Sequence, residues 1–130
     1  MRVAITSDED VIAARVAGRR LAEEAGLEAT DLTLLATAIS EVARNITAYA
    51  GSGEIVVRQV EGRGRRGIEV VARDEGPGID DLDAALQDGY TTGGGLGLGL
   101  PGARRLMDEF AIESVIGSGT TIVMKKWGQL

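Results

Sequence analysis

"EIVVRQVEGRGRRGIEVVARDEGPGI", residues 54–79, is the stretch that decides how this chain folds. Apolar, β-branched residues alternate with polar ones on either side of a Gly/Arg cluster. The runs are "EIVVRQVE" (Glu54 to Glu61) and "GIEVVARD" (Gly67 to Asp74). Two such runs joined by a short glycine-containing turn predict a β-hairpin, hence an antiparallel pair. The basic run "RGRR" (Arg63 to Arg66) then reads as a solvated turn. The second strand ends at Asp74, and "EGPGI" follows as a sharp turn.

Working outward, the flanks are helical before this hairpin and mixed after it. "RVAIT" (Arg2 to Thr6) predicts a first strand. Ser7, followed by Asp8, Glu9 and Asp10, predicts the N-cap and acidic first turn of a helix that Gly26 stops. A second helix is expected from near Thr30, whose hydroxyl can cap it, through "LTLLATAISEVARNITAYA" to Gly51. On the other side, "DDLDAALQD" reads as a short helix, and a glycine-rich segment precedes another. Pro101 suits the first turn of that last helix, which "ARRLMDEF" continues. "AIESVI", the turn "GSGT" and "TIVMKKW" predict a closing hairpin. The order βααββ(α)αββ points to an α+β, two-layer sandwich: a mixed, mostly antiparallel sheet with helices on one face.

Size and composition narrow the function. The 130 residues predict one domain, residues 1–130, with a core that needs no staples. No stretch approaches a membrane span, and the N-terminus lacks the apolar region of a signal peptide, so a cytoplasmic chain is expected. The absence of cysteine and histidine removes disulfides, thiol chemistry, most zinc sites and histidine acid/base catalysis. A net charge of −6 and 3% aromatic residues argue against binding nucleic acid.

Three short pieces carry chemistry. The first is "TTGGGLGLGLPG" (Thr91 to Gly102), with six glycines in twelve residues. It has no lysine to make a Walker loop, and its G-x-G-x-x-G match at Gly97, Gly99 and Gly102 lacks the preceding strand of a dinucleotide fingerprint. A glycine-rich entry to a helix does present free N–H groups and a positive dipole end to an anion, although a Gly-rich surface loop would read the same way. The second is "ISEVARNITAYA", in which Glu41 and Asn45 share one helical face at the edge of the apolar stripe. Buried there, both need partners. An amide oxygen can serve a hard cation and a carboxylate can take a proton, or each can satisfy a neighbouring strand. The third is "RDEGPGI", where Asp74 can accept from an exocyclic amine or simply close a turn.

Taken in order, E-x-x-x-N on a helix, D-x-G-x-G after a strand and G-x-G-x-G before a helix resemble the Bergerat-fold ATP-binding domain of the GHKL superfamily. That superfamily includes gyrase, Hsp90, histidine kinases and MutL. The short chain resembles the bacterial anti-sigma and serine-kinase branch. Within it, "ISEVARNITAYAGSGEI", "DEGPGI", "DGYTT", "GLGLGLPGARRLMDEFAIES" and "GSGTTIVMKKW" are most similar to the RsbT-like switch kinases of the stressosome. The resemblance runs from about Ile5 to Trp127, with no departure in the nucleotide motifs.

It implies ATP/ADP and Mg²⁺ as ligands and the following roles. Asn45 holds the metal, and Glu41 is the general base. Asp74 reads the adenine amino group over a floor shaped by Gly76 and Gly78. Gly95, Leu96, Gly97, Leu98 and Gly99 form the lid over the phosphates, and Thr120 supports the adenine end. Arg104 or Arg105 reaches the γ-phosphate or a protein partner. The implied activity is a protein-serine/threonine kinase acting on STAS-domain partners (RsbS- and RsbR-like). Once released, it would activate a PP2C-type phosphatase (RsbU-like). The alternatives are an anti-sigma factor kinase of the RsbW or SpoIIAB kind and a module that binds ATP without turnover.

Overall fold

A computed structural model of the chain describes residues 1–79 and 99–129. The elements are β1 (Arg2–Ile5), α1 (Asp8–Glu24), α2 (Ala29–Tyr49), β2 (Gly53–Gly62), β3 (Arg65–Asp74), α3 (Gly99–Leu106), β4 (Glu109–Val115) and β5 (Gly119–Trp127). The expected short helix "DDLDAALQD" and the lid residues Gly95, Leu96, Gly97 and Leu98 lie outside the described residues.

The predicted hairpin is present and longer than its alternation alone suggested. β2 and β3 pair from Gly53↔Asp74 to Gly62↔Arg65, leaving Arg63 and Gly64 as a two-residue loop. Both have positive φ, 53° and 77°, as a type I′ turn requires to match the twist of its strands. Arg65 and Arg66 therefore belong to the strand, exposed at its start. The sheet order is β1-β2-β3-β5-β4 and every described pairing is antiparallel, so the parallel component of a mixed sheet is not found among them.

One face of this sheet is apolar because side chains alternate. Across it run the rows Ile55, Ala72, Ile122, Ile112 and Val57, Val70, Met124, Phe110, matched by register. Leu35, Ile39, Val42 and Ile46 recur on α2 at helical spacing and are all at most 1% exposed. They join the inward strand residues in one core. α1 packs on α2 and on the β1–β2 edge, and α3 packs on α2.

Helix ends follow local chemistry, with three corrections. Ser7 is the N-cap of α1, yet its hydroxyl does not cap the backbone; it bonds Asp10 Oδ2 at 3.3 Å. Asp10 reaches back instead and accepts from the Thr6 N–H and hydroxyl, each at 2.9 Å. α2 begins at Ala29 with Glu28 as N-cap, so Thr30 lies inside the helix rather than capping it. α3 ends at Leu106, because Asp108 N–H donates to Lys125 O and the chain turns into β4; "DEF" is not helical.

Candidate functional site

α2 buries three polar residues of its "ISEVARN" stretch, and this is where the site starts. Ser40, Glu41 and Asn45 are each 3% exposed. Ser40 is accounted for locally: its hydroxyl donates to Ala36 O at 3.0 Å. Glu41 is not. Its Oε1 accepts from Arg44 Nη1 at 2.9 Å, and its Oε2 accepts from the backbone N–H of Gly99 at 2.8 Å. Gly99 is the first residue of α3, so the carboxylate sits on a helix N-terminus, where the dipole favours an anion. Two motifs 58 residues apart are thereby joined by one hydrogen bond. Each carboxylate oxygen keeps a lone pair for a further proton.

Asn45, one turn later, forms no side-chain hydrogen bond to another described residue. Its carbonyl oxygen is a hard donor of the kind Mg²⁺ takes from protein when phosphates and water fill the other positions. No group of three or more acidic, histidine or cysteine side chains among the described residues forms a cage of its own. A metal held chiefly by a nucleotide's phosphates fits this donor set.

The C-terminal end of α2 meets the end of the hairpin. A Cβ on Gly76 would lie 2.6 Å from Ala50 Cβ, so only glycine lets the loop after β3 pass this close. Gly78 has φ +80°, and its Cβ would meet Val115 O at 2.6 Å. Both glycines therefore bring the loop under the β4–β5 turn, whose Gly117 N–H donates to Pro77 O at 2.8 Å.

Asp74, the last residue of β3, faces this loop. Its Oδ1 accepts from Gly76 N–H at 2.9 Å and from Thr120 N–H at 3.3 Å. Thr120 is its direct partner across the β3–β5 ladder and is 4% exposed. No described residue donates to Asp74 Oδ2, which is the oxygen available to a ligand. A shallow cavity of about 270 Å³, lined by Ser52, Gly53, Glu54, Arg73, Asp74 and Glu75, opens beside it. A larger one, about 700 Å³, lies at the other end of the sheet around Arg63, Asp108 and Trp127. No buried carboxylate or amide lines that cavity, since Asp108 and Glu109 are exposed.

Of the residues expected at the site, Glu41, Asn45, Asp74, Gly76, Gly78, Gly99 and Thr120 are brought to this end of the fold. Arg104 and Arg105 lie exposed in the last turn of α3, at the opposite end of that helix from Gly99. Three contributors were not singled out from the sequence. Arg44 orients Glu41. Ser114 on β4 accepts from Ile79 N–H at 2.8 Å and lies 2.9 Å from Thr120 Oγ1. Lys126, 8% exposed, donates to Leu106 O at 2.9 Å and ties down the C-terminus of α3. Ser114 follows the apolar Phe110 and Ile112 on the inward face of β4, and Lys126 follows Ile122 and Met124 on that of β5, a signal legible in the alternation.

Comparison with known proteins matches this geometry to a family. Residues 6–126 match the histidine kinase-like ATPase domain model. The chain is 50% identical over 125 residues to the serine/threonine-protein kinase RsbT of Bacillus subtilis, covering 96% of this chain and 94% of that protein. It is 35% identical over 102 residues to the anti-sigma F factor of Priestia megaterium, covering 74% and 69%. The mycobacterial sensor histidine kinase MprB shares the fold, with a TM-score of 0.58 at 21% identity over 99% of this chain and 97% of that one. A two-layer α+β fold, a buried E-x-x-x-N pair and a D-x-G-x-G turn in this order, with a model match across nearly the whole chain, place it: the chain belongs to the histidine kinase-like ATPase domain family.

Proposed function

We propose that the chain is one nucleotide-binding kinase domain, residues 1–130, that transfers the γ-phosphoryl group of ATP to a serine or threonine of a protein partner. The observation that carries this reading is the Glu41–Gly99 contact at 2.8 Å, which sets a buried carboxylate against the helix end where the glycine segment terminates. The 50% identity to RsbT across 96% of the chain supports the acceptor class.

In this reading Asp74 Oδ2 accepts from the adenine amine, and Gly76 and Gly78 keep the floor low enough for the base. We assign the phosphates to the glycine segment from Gly95 to Gly99 on its sequence, as a source of backbone N–H donors. Asn45 would hold Mg²⁺ through its amide oxygen, and the metal would neutralise charge on the phosphates when bound. Glu41 takes the proton from the attacking hydroxyl as the new O–P bond forms and the bond to the ADP oxygen breaks. Arg44 holds the Glu41 carboxylate in place from the solvent side. Most of the rate in such a transfer comes from positioning and charge neutralisation, which suits a site with few ionisable groups.

The partners we propose are STAS-domain proteins as acceptors and a PP2C-type phosphatase bound after release. Incubating the purified chain with Mg-ATP and a STAS partner should give phosphoserine or phosphothreonine, lost in Glu41→Gln and Asn45→Ala. The relationship to anti-sigma F factor supports a second reading at lower identity and coverage. A sigma subunit recovered with the chain, and no phosphorylated STAS protein, would choose that reading instead.

A further inference from the structure

Glu41, the proton acceptor of the reading above, has a donor on each of its oxygens. Oε2 accepts from the Gly99 N–H at 2.8 Å and Oε1 from Arg44 Nη1 at 2.9 Å. The two bonds differ in kind. The Gly99 amide is buried with the carboxylate and fixed in the first turn of α3. Arg44 stands three residues along α2, and its side chain is 41% exposed against 4% for that of Glu41. An ion pair with one partner in water contributes little to stability, so the fold does not depend on Arg44 staying where it is. A guanidinium carries five N–H donors, and one of them bonds Glu41.

The base also bounds where the transferred group lies. An acceptor hydroxyl gives up its proton from about 2.6–3.2 Å away from a Glu41 oxygen. The phosphorus it attacks lies about 3–3.5 Å from that hydroxyl oxygen. The γ-phosphorus is therefore within about 7 Å of the Glu41 carboxylate. Arg44 Nη1 starts 2.9 Å from the same carboxylate, at the end of a long flexible side chain with no second tether among the described residues. No other cation among the described residues bonds Glu41, Asn45 or Asp74. Arg104 and Arg105 stand in the last turn of α3, away from its Gly99 end.

We propose that Arg44 exchanges partners: in the chain alone it pairs with Glu41, and when ATP binds it moves to the γ-phosphate as a catalytic residue. One movement then has two effects. It clears Oε1 on the side open to solvent, from which the hydroxyl of a protein acceptor approaches. It also brings a cation to the group that is transferred. The acceptor oxygen bonds phosphorus, its proton passes to Glu41, and the bond to the ADP oxygen breaks, with ADP keeping that bond's electron pair. A guanidinium beside the phosphoryl oxygens neutralises charge throughout that step. ADP has no γ-phosphate, so Arg44 returns to Glu41 after transfer, and the base is cleared by ATP and not by ADP. The inference rests on the ATP reading above and adds to it the cation that reads the third phosphate.

The test measures, by calorimetry on the full chain with Mg²⁺, the affinity for ADP and for the β,γ-imido analogue of ATP. The ratio of the two is taken within each protein, so a general loss of stability cancels. Arg44→Met should lower the preference for the analogue over ADP about 10-fold from its value in the unaltered chain. That is the scale of a hydrogen bond to a charged group less the exposed pair given up. Arg44→Lys, which keeps a cation on a flexible stem, should restore most of the preference. Arg66→Met removes the same charge at the far end of the hairpin and should leave it unchanged. Arg44→Gln gives the same fall should Arg44→Met not fold. If Arg44→Met weakens both ligands equally, Arg44 only anchors Glu41, and the proposal is overturned while the ATP site stands. If Arg66→Met lowers the preference as far as Arg44→Met, net charge alone explains the effect and the proposal is again overturned. If the unaltered chain binds neither nucleotide, both readings fail.

Discussion

Replacing Glu41 separates what this carboxylate does for the fold from what it does for the reaction. In the fold it accepts the Gly99 N–H at 2.8 Å and pairs with Arg44 at 2.9 Å. Arg44 is 41% exposed, so the ion pair contributes at most about 1 kcal/mol. The Gly99 bond is buried and charge-assisted, and such bonds contribute about 1.5–3 kcal/mol. Glu41→Gln keeps an amide oxygen for Gly99 and loses only the charge, so it should cost about 1 kcal/mol. Glu41→Ala leaves the Gly99 N–H buried with no acceptor and takes the anion from the end of α3. It should cost about 2–3 kcal/mol.

For a chain of this size, about 1 kcal/mol moves the unfolding midpoint by about 4 °C. Thermal unfolding without nucleotide should therefore show a fall of about 4 °C for Glu41→Gln and about 10 °C for Glu41→Ala. Hydrogen exchange at the Gly99 amide should accelerate in the alanine variant and stay near its original rate in the glutamine variant. In the transfer assay the order reverses in importance, because the isosteric glutamine already lacks the base. It should lose about 10²–10⁴-fold in rate, far more than a loss of about 1 kcal/mol in stability could cause. An alanine variant within about 0.5 kcal/mol of the unaltered protein, the range of ordinary surface changes, would refute the anchoring role of the Gly99 bond. Full phosphorylation by Glu41→Gln would refute the base.

Three further outcomes follow from particular contacts. Gly78→Ala forces a non-glycine residue to φ +80° with its Cβ 2.6 Å from Val115 O, so it should destabilise by about 2 kcal/mol or more and weaken nucleotide binding; urea unfolding and calorimetry check both. Lys126→Met removes the donor on Leu106 O and the cation near Asp108 and Asp31, at 3.4 and 3.9 Å, and should cost about 1–2 kcal/mol in urea unfolding. The Asp10 carboxyl is held below its ordinary value near 3.8 by the Thr6 N–H, then by the Thr6 hydroxyl, against slight desolvation. Its contribution is thus full above that ordinary value and is lost as pH falls through the lower folded one. Asp10→Asn should accordingly be less stable than the unaltered chain at neutral pH, with the gap narrowing in strong acid; unfolding midpoints across that range test it.

How much of this could be read from the chain depends on the range of each interaction. The β2–β3 hairpin was legible because alternation and a two-residue turn are local signals, and its end placed Asp74 correctly. The burial of Glu41 and Asn45 was legible from their position beside the stripe of Leu35, Ile39, Val42 and Ile46. The bond from Glu41 to Gly99 spans 58 residues and leaves no local trace. Helix boundaries failed for a related reason. Thr30 is a good cap by composition, but the chain leaves the turn at Leu27, whose N–H bonds Ala22 O, early enough for Glu28 to take that place. Asp108 continues a helical pattern in sequence, yet its N–H bonds Lys125 O and the chain enters the sheet at Glu109. Ser114 sits in the same category with a clue attached. It follows Phe110 and Ile112 on the inward face of β4, and a polar residue at that parity asks for a partner.

The apolar core and the site polar contacts therefore do different work. The rows across the sheet and the stripe on α2 fix the two layers, and many combinations of aliphatic residues would fill that space. What sets the geometry of the site is a small number of polar bonds made at the edges of those layers. Glu41 holds the start of α3 and Lys126 its end, a carboxylate at the positive pole and an ammonium at the negative one. Asp74, Thr120 and Ser114 hold the loop after β3 to the turn before β5. Substitutions within the core, such as Val70→Ala, should therefore lower stability while leaving the ATP affinity of the folded chain in place. Asp74→Asn, at the layer edge, should weaken nucleotide binding more than it lowers stability. A core variant that weakened binding as strongly as Asp74→Asn, at a temperature where it is fully folded, would mean that packing, rather than the polar bonds at the layer edges, sets the geometry of the site.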